Sequence, residues 1–204
     1  MLNKVARFRP RRSLALVPPH SALIILDMQK YFLEASSHAY IPSAPAIIPG
    51  LCALIEVYSD NHLPIIFTQH VNTPQDAGML AKWWQDLITE KNPLSEITDE
   101  LDISTGTRLQ KIQYDAFYQT DLVDLLQGRH VTQVVICGVM THLCCETTAR
   151  SAFIHGFEVF FAIDGTATYN EDFHLATLTN LSHGFAVPVL VEDVLTVFQT
   201  YDAN

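Results

Sequence analysis

The fold is decided by residues 134–145, which read VVICGVMTHLCC. The stretch begins as an apolar run that is typical of a buried strand, and residues 145–155 after it are typical of a helix. Cys144 therefore lies at a junction between a strand and a helix, where backbone N–H groups and the helix dipole favour an anion. Such a position is expected to lower the pKa of a thiol, which makes Cys144 a candidate nucleophile.

Apolar runs that predict buried strands recur along the chain, at residues 22–26, 64–68, 108–112, 133–137, 158–163 and 187–191. Helix-like stretches lie between most of them, at residues 46–58, 121–127, 145–155 and 173–183. The long segment 72–106, between the second and third strands, is expected to hold one or two helices. Apolar strands that alternate with helices predict an α/β fold: a doubly wound, mostly parallel six-stranded sheet with helices on both faces.

Charge is unevenly distributed along the 204 residues, whose 12 Lys and Arg and 22 Asp and Glu give a net charge of −10. Five of the cations lie within the first 12 residues, and no acid precedes Asp27. We therefore divide the chain into a basic N-terminal arm, residues 1–20, and one α/β domain, residues 21–204. Because that domain is strongly acidic, a nucleic-acid partner is not expected.

Several other classes of protein receive no support from the sequence. The apolar stretch 13–17 is too short for a secretory signal, and no window approaches the ~20 apolar residues of a membrane span. Four cysteines in a chain of this length do not suggest a disulfide framework, so reduced thiols and a cytoplasmic location are expected. No Gly-x-Gly pair and no close His pair occurs, so we expect neither a nucleotide cofactor nor a metal.

Three ionisable residues lie at the ends of predicted strands. Asp27 follows the first strand, Lys111 lies near the end of the third, and Cys144 follows the fourth. In a doubly wound sheet of strand order 3-2-1-4-5-6, the first and fourth strands are neighbours at the point where ligands bind. A carboxylate there can take a thiol proton, and a lysine can keep that carboxylate ionised. The set predicts nucleophilic attack on a carbonyl group, with backbone N–H groups holding the oxygen of the adduct.

Each of these residues taken alone has an ordinary structural explanation. An Asp at a strand end commonly caps a turn, a Lys commonly extends along the surface, and a Cys commonly packs as a small hydrophobic residue. Their joint placement at one edge of the predicted sheet is what favours catalysis.

The segments that carry these residues resemble those of the isochorismatase-like cysteine hydrolases. Residues 22–32, ALIILDMQKYF, are similar to the opening strand of that family. Residues 111–122 are similar to its lysine segment, and residues 138–152 are similar to its cysteine segment. The resemblance spans about residues 21–195 and identifies the chain as a member of this family.

The resemblance implies a role for each of the three residues. Asp27 would be the general base, Lys111 its electrostatic partner, and Cys144 the nucleophile of a covalent thioester intermediate. It also implies a cis peptide bond between Val139 and Met140, with these residues and Cys144 forming the oxyanion hole. Further substrate contacts are expected from Phe32, His70, Trp84 and His142, and the partners are expected to be a small-molecule substrate and further copies of the chain in a homo-oligomer.

The chain departs from the family at the position of a metal site. Members that cleave nicotinamide carry an Asp-x-His motif after the second strand and a further His downstream. His70 and Asn72 stand at the matching positions here, and residues 74–78 contain no His. We therefore expect no catalytic metal, and we interpret His70 as a polar residue of the cavity wall.

The choice of reaction depends on Cys144. Residues 78–84 and His142 resemble the isochorismatase branch, which hydrolyses a vinyl ether with an Asp as the acid and commonly has Gly in place of this cysteine. The retained thiol favours hydrolysis of a small amide, ureido or carbamoyl compound. Vinyl-ether hydrolysis with Asp27 as the acid is the alternative, and a non-catalytic protein that binds a small metabolite is a second one.

Overall fold

The sheet has six parallel strands in the order β3-β2-β1-β4-β5-β6, as predicted. A computed structural model describes residues 2–5, 14–84 and 86–201 of the chain. All neighbouring strands pair in parallel. The strands are β1 (Ser21–Leu26), β2 (Ile65–His70), β3 (Thr107–Lys111), β4 (Gln133–Val139), β5 (Glu158–Ala167) and β6 (Ala186–Val189).

The described residues contain eight α-helices. They are α1 (Leu2–Val5), α2 (Lys30–Leu33), α3 (Ile48–Asp60), α4 (Leu80–Trp83), α5 (Leu122–Gln127), α6 (Glu146–Ile154), α7 (Glu171–Gly184) and α8 (Val191–Tyr201). The ends of α3, α5, α6 and α7 lie within two residues of the predicted ends, whereas α8 was not predicted. The segment 72–106 holds α4 and two short 3-10 turns. Within the described ranges, no helix is both long enough and apolar enough to cross a bilayer.

Two hydrophobic cores cover the two faces of the sheet, because successive side chains of a strand point to opposite sides. On β1, Leu23 and Ile25 belong to the core that α3 and α8 cover. Ala22, Ile24 and Leu26 belong to the core that α5, α6 and α7 cover. The sheet is therefore buried on both faces, which explains why its central strands are continuous apolar runs.

Gly138 determines how β4 leaves the sheet beside β1. It pairs with Leu26 and has a φ of +105°. A Cβ atom at this position would lie 2.2 Å from the Leu26 carbonyl oxygen, so no residue with a side chain fits here. The close approach brings the chain that follows β4 to the carboxyl end of β1, where Asp27 lies.

The predicted basic arm is only partly described. Lys4 of α1 lies on the surface with its Nζ 3.9 Å from Glu171 Oε1 of α7. The other cations of the arm, Arg7, Arg9, Arg11 and Arg12, lie outside the described residues. The division of the chain into an arm and a domain therefore stays a prediction.

Candidate active site

Asp27 is held in a fixed orientation at the end of β1. The residue is fully buried, and its φ of +48° lies in the left-handed region that residues with side chains rarely adopt. Its Oδ1 accepts a hydrogen bond from the Thr68 hydroxyl at 2.6 Å, and that hydroxyl oxygen accepts one from the Asp27 N–H at 3.1 Å. Its Oδ2 lies 2.8 Å from Lys111 Nζ. The carboxylate is thus fixed between a hydroxyl of β2 and an ammonium of β3.

Lys111 joins the carboxylate to the proposed nucleophile. Its ammonium is buried, donates to the Gln113 carbonyl at 2.8 Å, and lies 3.4 Å from Cys144 Sγ. Burial alone would lower the pKa of Lys111, but the Asp27 carboxylate and the contact with Cys144 outweigh burial and raise it. The lysine therefore carries its charge inside the protein, with partners that offset the cost of burying it.

Cys144 lies in a π-helical turn, Thr141–Cys145, that leads into α6. The residue is 5% exposed. Burial raises the pKa of its thiol, the charge of Asp27 raises it further, and the Lys111 ammonium acts in the opposite direction. The expectation that the helix start lowers this pKa is therefore wrong, because burial and the Asp27 charge outweigh the Lys111 ammonium. A thiol with a raised pKa needs a base before it can act as a nucleophile.

The peptide bond at the start of the turn that leads to Cys144 has the geometry that the family resemblance implies. The peptide bond between Val139 and Met140 is cis, which confirms that expectation. The Met140 carbonyl accepts hydrogen bonds from the N–H groups of Leu143 at 3.1 Å and Cys145 at 3.2 Å. These two donors are thereby occupied, and the N–H groups of Cys144 and Met140 are the candidate oxyanion donors.

A cavity of about 220 Å³ opens beside Cys144. Three of the predicted substrate contacts, Phe32, His70 and Trp84, line this cavity together with Met140. The other members of the predicted site lie behind this wall: Asp27, Lys111 and Val139 are buried. Of the three ionisable residues, Cys144 is therefore the one that lines the cavity.

His142 is not part of the cavity wall, although the sequence predicts that it contacts substrate. Its ring stacks on Phe173 of α7, with centroids 4.3 Å apart and planes 10° from parallel. Its Nδ1 lies 2.7 Å from the Thr168 hydroxyl, and burial lowers its pKa. The side chain thus packs the turn against α7.

His70 is neutral and has one defined tautomer. Its Nε2 lies 2.7 Å from Asn72 Oδ1, and its Nδ1 lies 3.5 Å from Lys111 Nζ. The Asn72 amide group donates to the Ile112 carbonyl at 2.9 Å, so Oδ1 is the accepting atom and His70 carries its proton on Nε2. Burial and the Lys111 charge lower the pKa of His70 to about 4.

No metal-binding cluster is found in the described part of the chain. There, no group of three or more His, Cys, Asp or Glu side chains is arranged to hold a metal ion. His70 directs both ring nitrogens to protein partners, one of which is an ammonium.

The sequence analysis did not identify three polar residues that line the cavity: His38, Asp86 and Tyr169. All three lie outside the regular elements, where no periodicity indicates which way a side chain points. Asp86 Oδ1 accepts a hydrogen bond from the Tyr31 hydroxyl at 2.5 Å and lies 3.3 Å from His38 Nε2. The cavity therefore has a second cluster of polar side chains, Tyr31, His38 and Asp86, besides the cluster of Asp27, Lys111 and Cys144.

Comparison with known proteins gives a consistent set of similarities. The family described as Isochorismatase domain matches residues 21–193. Nicotinamidase 3 of Arabidopsis thaliana is 40% identical over 171 residues, which cover 81% of this chain and 82% of that protein. The crystal structure of a cysteine hydrolase from Pseudomonas syringae pv. phaseolicola 1448A has a TM-score of 0.88 at 23% identity, covering 92% of this chain and 96% of that chain. The pyrazinamidase of Pyrococcus horikoshii in complex with zinc has a TM-score of 0.75 at 25% identity, covering 84% and 99%.

Proposed function

Because the chain belongs to the isochorismatase family of hydrolases, we propose that it hydrolyses the C–N bond of a small amide through a covalent intermediate on Cys144. One observation carries the proposal: Lys111 Nζ lies 2.8 Å from Asp27 Oδ2 and 3.4 Å from Cys144 Sγ, and Cys144 lines the cavity. A base, a cation and a nucleophile thus form one connected group. Two relatives, a nicotinamidase and a pyrazinamidase, are named for the hydrolysis of an amide.

The reaction begins with proton transfer inside the buried group. Asp27 takes the thiol proton, and the Cys144 sulfur attacks the carbonyl carbon of the amide, so that the carbonyl oxygen becomes negatively charged. The N–H groups of Cys144 and Met140 are the proposed donors to that oxygen. Lys111 stabilises first the Asp27 carboxylate and then the developing charge on sulfur, because its ammonium contacts both.

The same carboxyl group serves the remaining steps. When the C–N bond breaks, Asp27 returns its proton to the nitrogen, so that ammonia leaves and a thioester with Cys144 remains. Asp27 then takes a proton from a water molecule, which attacks the thioester carbonyl. Breaking of the C–S bond releases the carboxylic acid, and the sulfur takes the proton back from Asp27. One amide and one water become one acid and one ammonia.

The residues beside the cavity do not fit a zinc centre like the one that the P. horikoshii pyrazinamidase binds. His70 Nε2 carries a proton that points to Asn72, and its Nδ1 lies 3.5 Å from the Lys111 ammonium. A divalent cation at Nδ1 would be repelled by that ammonium at short range. We therefore assign no step of the reaction to a metal.

Hydrolysis of isochorismate is disfavoured by the charge of the cavity wall. Isochorismate carries two carboxylates, which proteins bind with Arg or Lys side chains. Among the described residues that line the cavity there is no Lys or Arg, and Asp86 adds a negative charge. Lys111 lies behind the wall with its ammonium against Asp27, so it is not available to pair with a substrate carboxylate.

The proposal is tested by assaying ammonia release from a panel of small amides, ureido compounds and carbamoyl compounds, with isochorismate as the competing substrate. We expect ammonia from at least one amide, at the same rate before and after dialysis of the enzyme against EDTA. Dialysis without EDTA is the control. Turnover of isochorismate with no ammonia from any amide would contradict the proposed reaction. Amide hydrolysis that is lost after EDTA treatment and restored by zinc would contradict a reaction that needs no metal.

A further inference from the structure

We infer that the cavity selects amides that carry a positive charge away from the reacting carbonyl, and that Asp86 is the residue that recognises this charge. The inference rests on the proposed amide hydrolysis and adds the class of substrate to it. The recognition site consists of Tyr31, His38 and Asp86, which we call the acidic wall of the cavity.

The charge of the cavity favours a cation. Asp86 is the only carboxylate among the described lining residues, and none of these is Lys or Arg. Of the two lining histidines, His70 is neutral because burial and Lys111 lower its pKa to about 4. The other, His38, contacts Asp86 itself. The chain as a whole carries a net charge of −10, which attracts cations toward the cavity.

Asp86 is held in place by its neighbours in the acidic wall. The Tyr31 hydroxyl donates to its Oδ1 at 2.5 Å, and His38 Nε2 lies 3.3 Å from the same oxygen. Tyr31 is itself buried and packs edge-to-face against Phe32, with ring centroids 5.3 Å apart. Both contacts involve Oδ1. We therefore assign Oδ2 as the atom that binds the charged group of the ligand. A carboxylate oriented in this way is suited to recognise charge at a fixed position.

Aromatic rings surround the same space. Five aromatic side chains line the cavity: Tyr31, Phe32, Trp84, Tyr114 and Tyr169. Trp84 is fixed by its Nε1, which donates to the Tyr114 hydroxyl at 2.6 Å. The faces of aromatic rings attract cations, and a set of rings beside a carboxylate is typical of sites for ammonium and pyridinium groups. The volume of about 220 Å³ is below the ~300–1,000 Å³ of drug-sized sites, which favours a single-ring amide.

A pair of compounds with the same shape tests the inference. The 1-methylnicotinamide cation and neutral 3-methylbenzamide each carry a carboxamide and a methyl group in meta positions of a six-membered ring, and they differ in charge. Binding is measured by calorimetry to the Cys144→Ala variant, so that reactivity does not affect the result. We expect the cation to bind roughly tenfold more tightly than the neutral compound.

Two variants show whether Asp86 is responsible for this ratio. Asp86→Asn keeps the shape of the side chain and removes its charge, so the preference for the cation is expected to fall to about threefold or less. Glu90→Gln is the matched control, because it removes one charge from the same loop at an exposed residue that does not line the cavity. It is expected to leave the ratio unchanged.

Each outcome decides one part of the assignment. Equal affinities for the two compounds, no binding of either at millimolar concentration, or equal effects of the two substitutions would overturn the inference. Ammonia release from amides by the wild-type enzyme together with equal affinities would leave the proposed function standing and remove only the charge selectivity. A preference for the cation that depends on Asp86, without ammonia release from any amide, would support the binding site and contradict the reaction.

Discussion

Replacement of Cys144 by alanine is expected to lower kcat for amide hydrolysis by at least about 10⁴-fold, as is typical when a covalent nucleophile is removed. Without the sulfur no thioester can form, and Asp27 has no thiol from which to take a proton. Because the side chain is small and the change removes one atom, thermal unfolding is expected to shift little. The rate is measured by ammonia release under steady-state conditions, with circular dichroism to follow unfolding.

Cys145 provides the matched control for this substitution. It is also a buried thiol in the same turn, but its Sγ lies 3.9 Å from the Cys137 carbonyl oxygen and it does not line the cavity. Cys145→Ala is expected to retain most of the amide hydrolysis. Equal loss of activity in the two variants would contradict the assignment of the nucleophile. Isochorismate hydrolysis that survives in Cys144→Ala would support the vinyl-ether reaction with Asp27 as the acid.

Replacement of Lys111 by methionine is expected to destabilise the protein by about 3–5 kcal/mol, as is typical when one partner of a buried ion pair is removed. Asp27 is fully buried, and among the described residues the cation that contacts its carboxylate is the Lys111 ammonium, 2.8 Å away. Methionine fills a similar volume but leaves the carboxylate without a counter-charge. The free energy of unfolding is measured by urea titration, and ammonia release is expected to be lost as well.

The double variant Asp27→Asn, Lys111→Met separates the loss of charge balance from the loss of packing. It removes both charges, so it is expected to recover at least half of the stability lost in Lys111→Met while remaining inactive. A double variant as unstable as the sum of the two single changes would show that the two side chains are not coupled. A Lys111→Met protein as stable as wild type would contradict the buried ion pair.

The central strands of the sheet, and Asp27 at the end of β1, could be predicted from sequence for one physical reason. A sheet buried on both faces requires continuous apolar strands, so each strand end is marked where the first polar residue follows, as at Asp27. The last helix was missed because residues 191–201 are rich in Val, Thr and Phe, which also favour strands. The spacing of Val191, Val194 and Phe198, which are buried on α8, was the available helical signal.

The cavity wall and the state of the thiol could not be predicted in the same way. Asp86 and His38 come from irregular segments that approach each other only in the folded chain, and His142 turns toward α7 because Phe173 and Thr168 offer it partners. The pKa of Cys144 depends on how deeply the turn is buried, which is a property of tertiary packing. Local sequence therefore predicts the position of the nucleophile and not its protonation.

Rapid acid quenching during turnover, followed by mass spectrometry of the intact protein and of its peptides, tests most directly whether Cys144 carries the substrate acyl group. We expect a mass increase equal to that of the amide minus ammonia, located on the peptide that contains Cys144. This adduct is expected to form within the first turnover and to disappear when the amide is consumed. Ammonia release with no adduct, or with an adduct on another residue, would contradict catalysis through a Cys144 thioester.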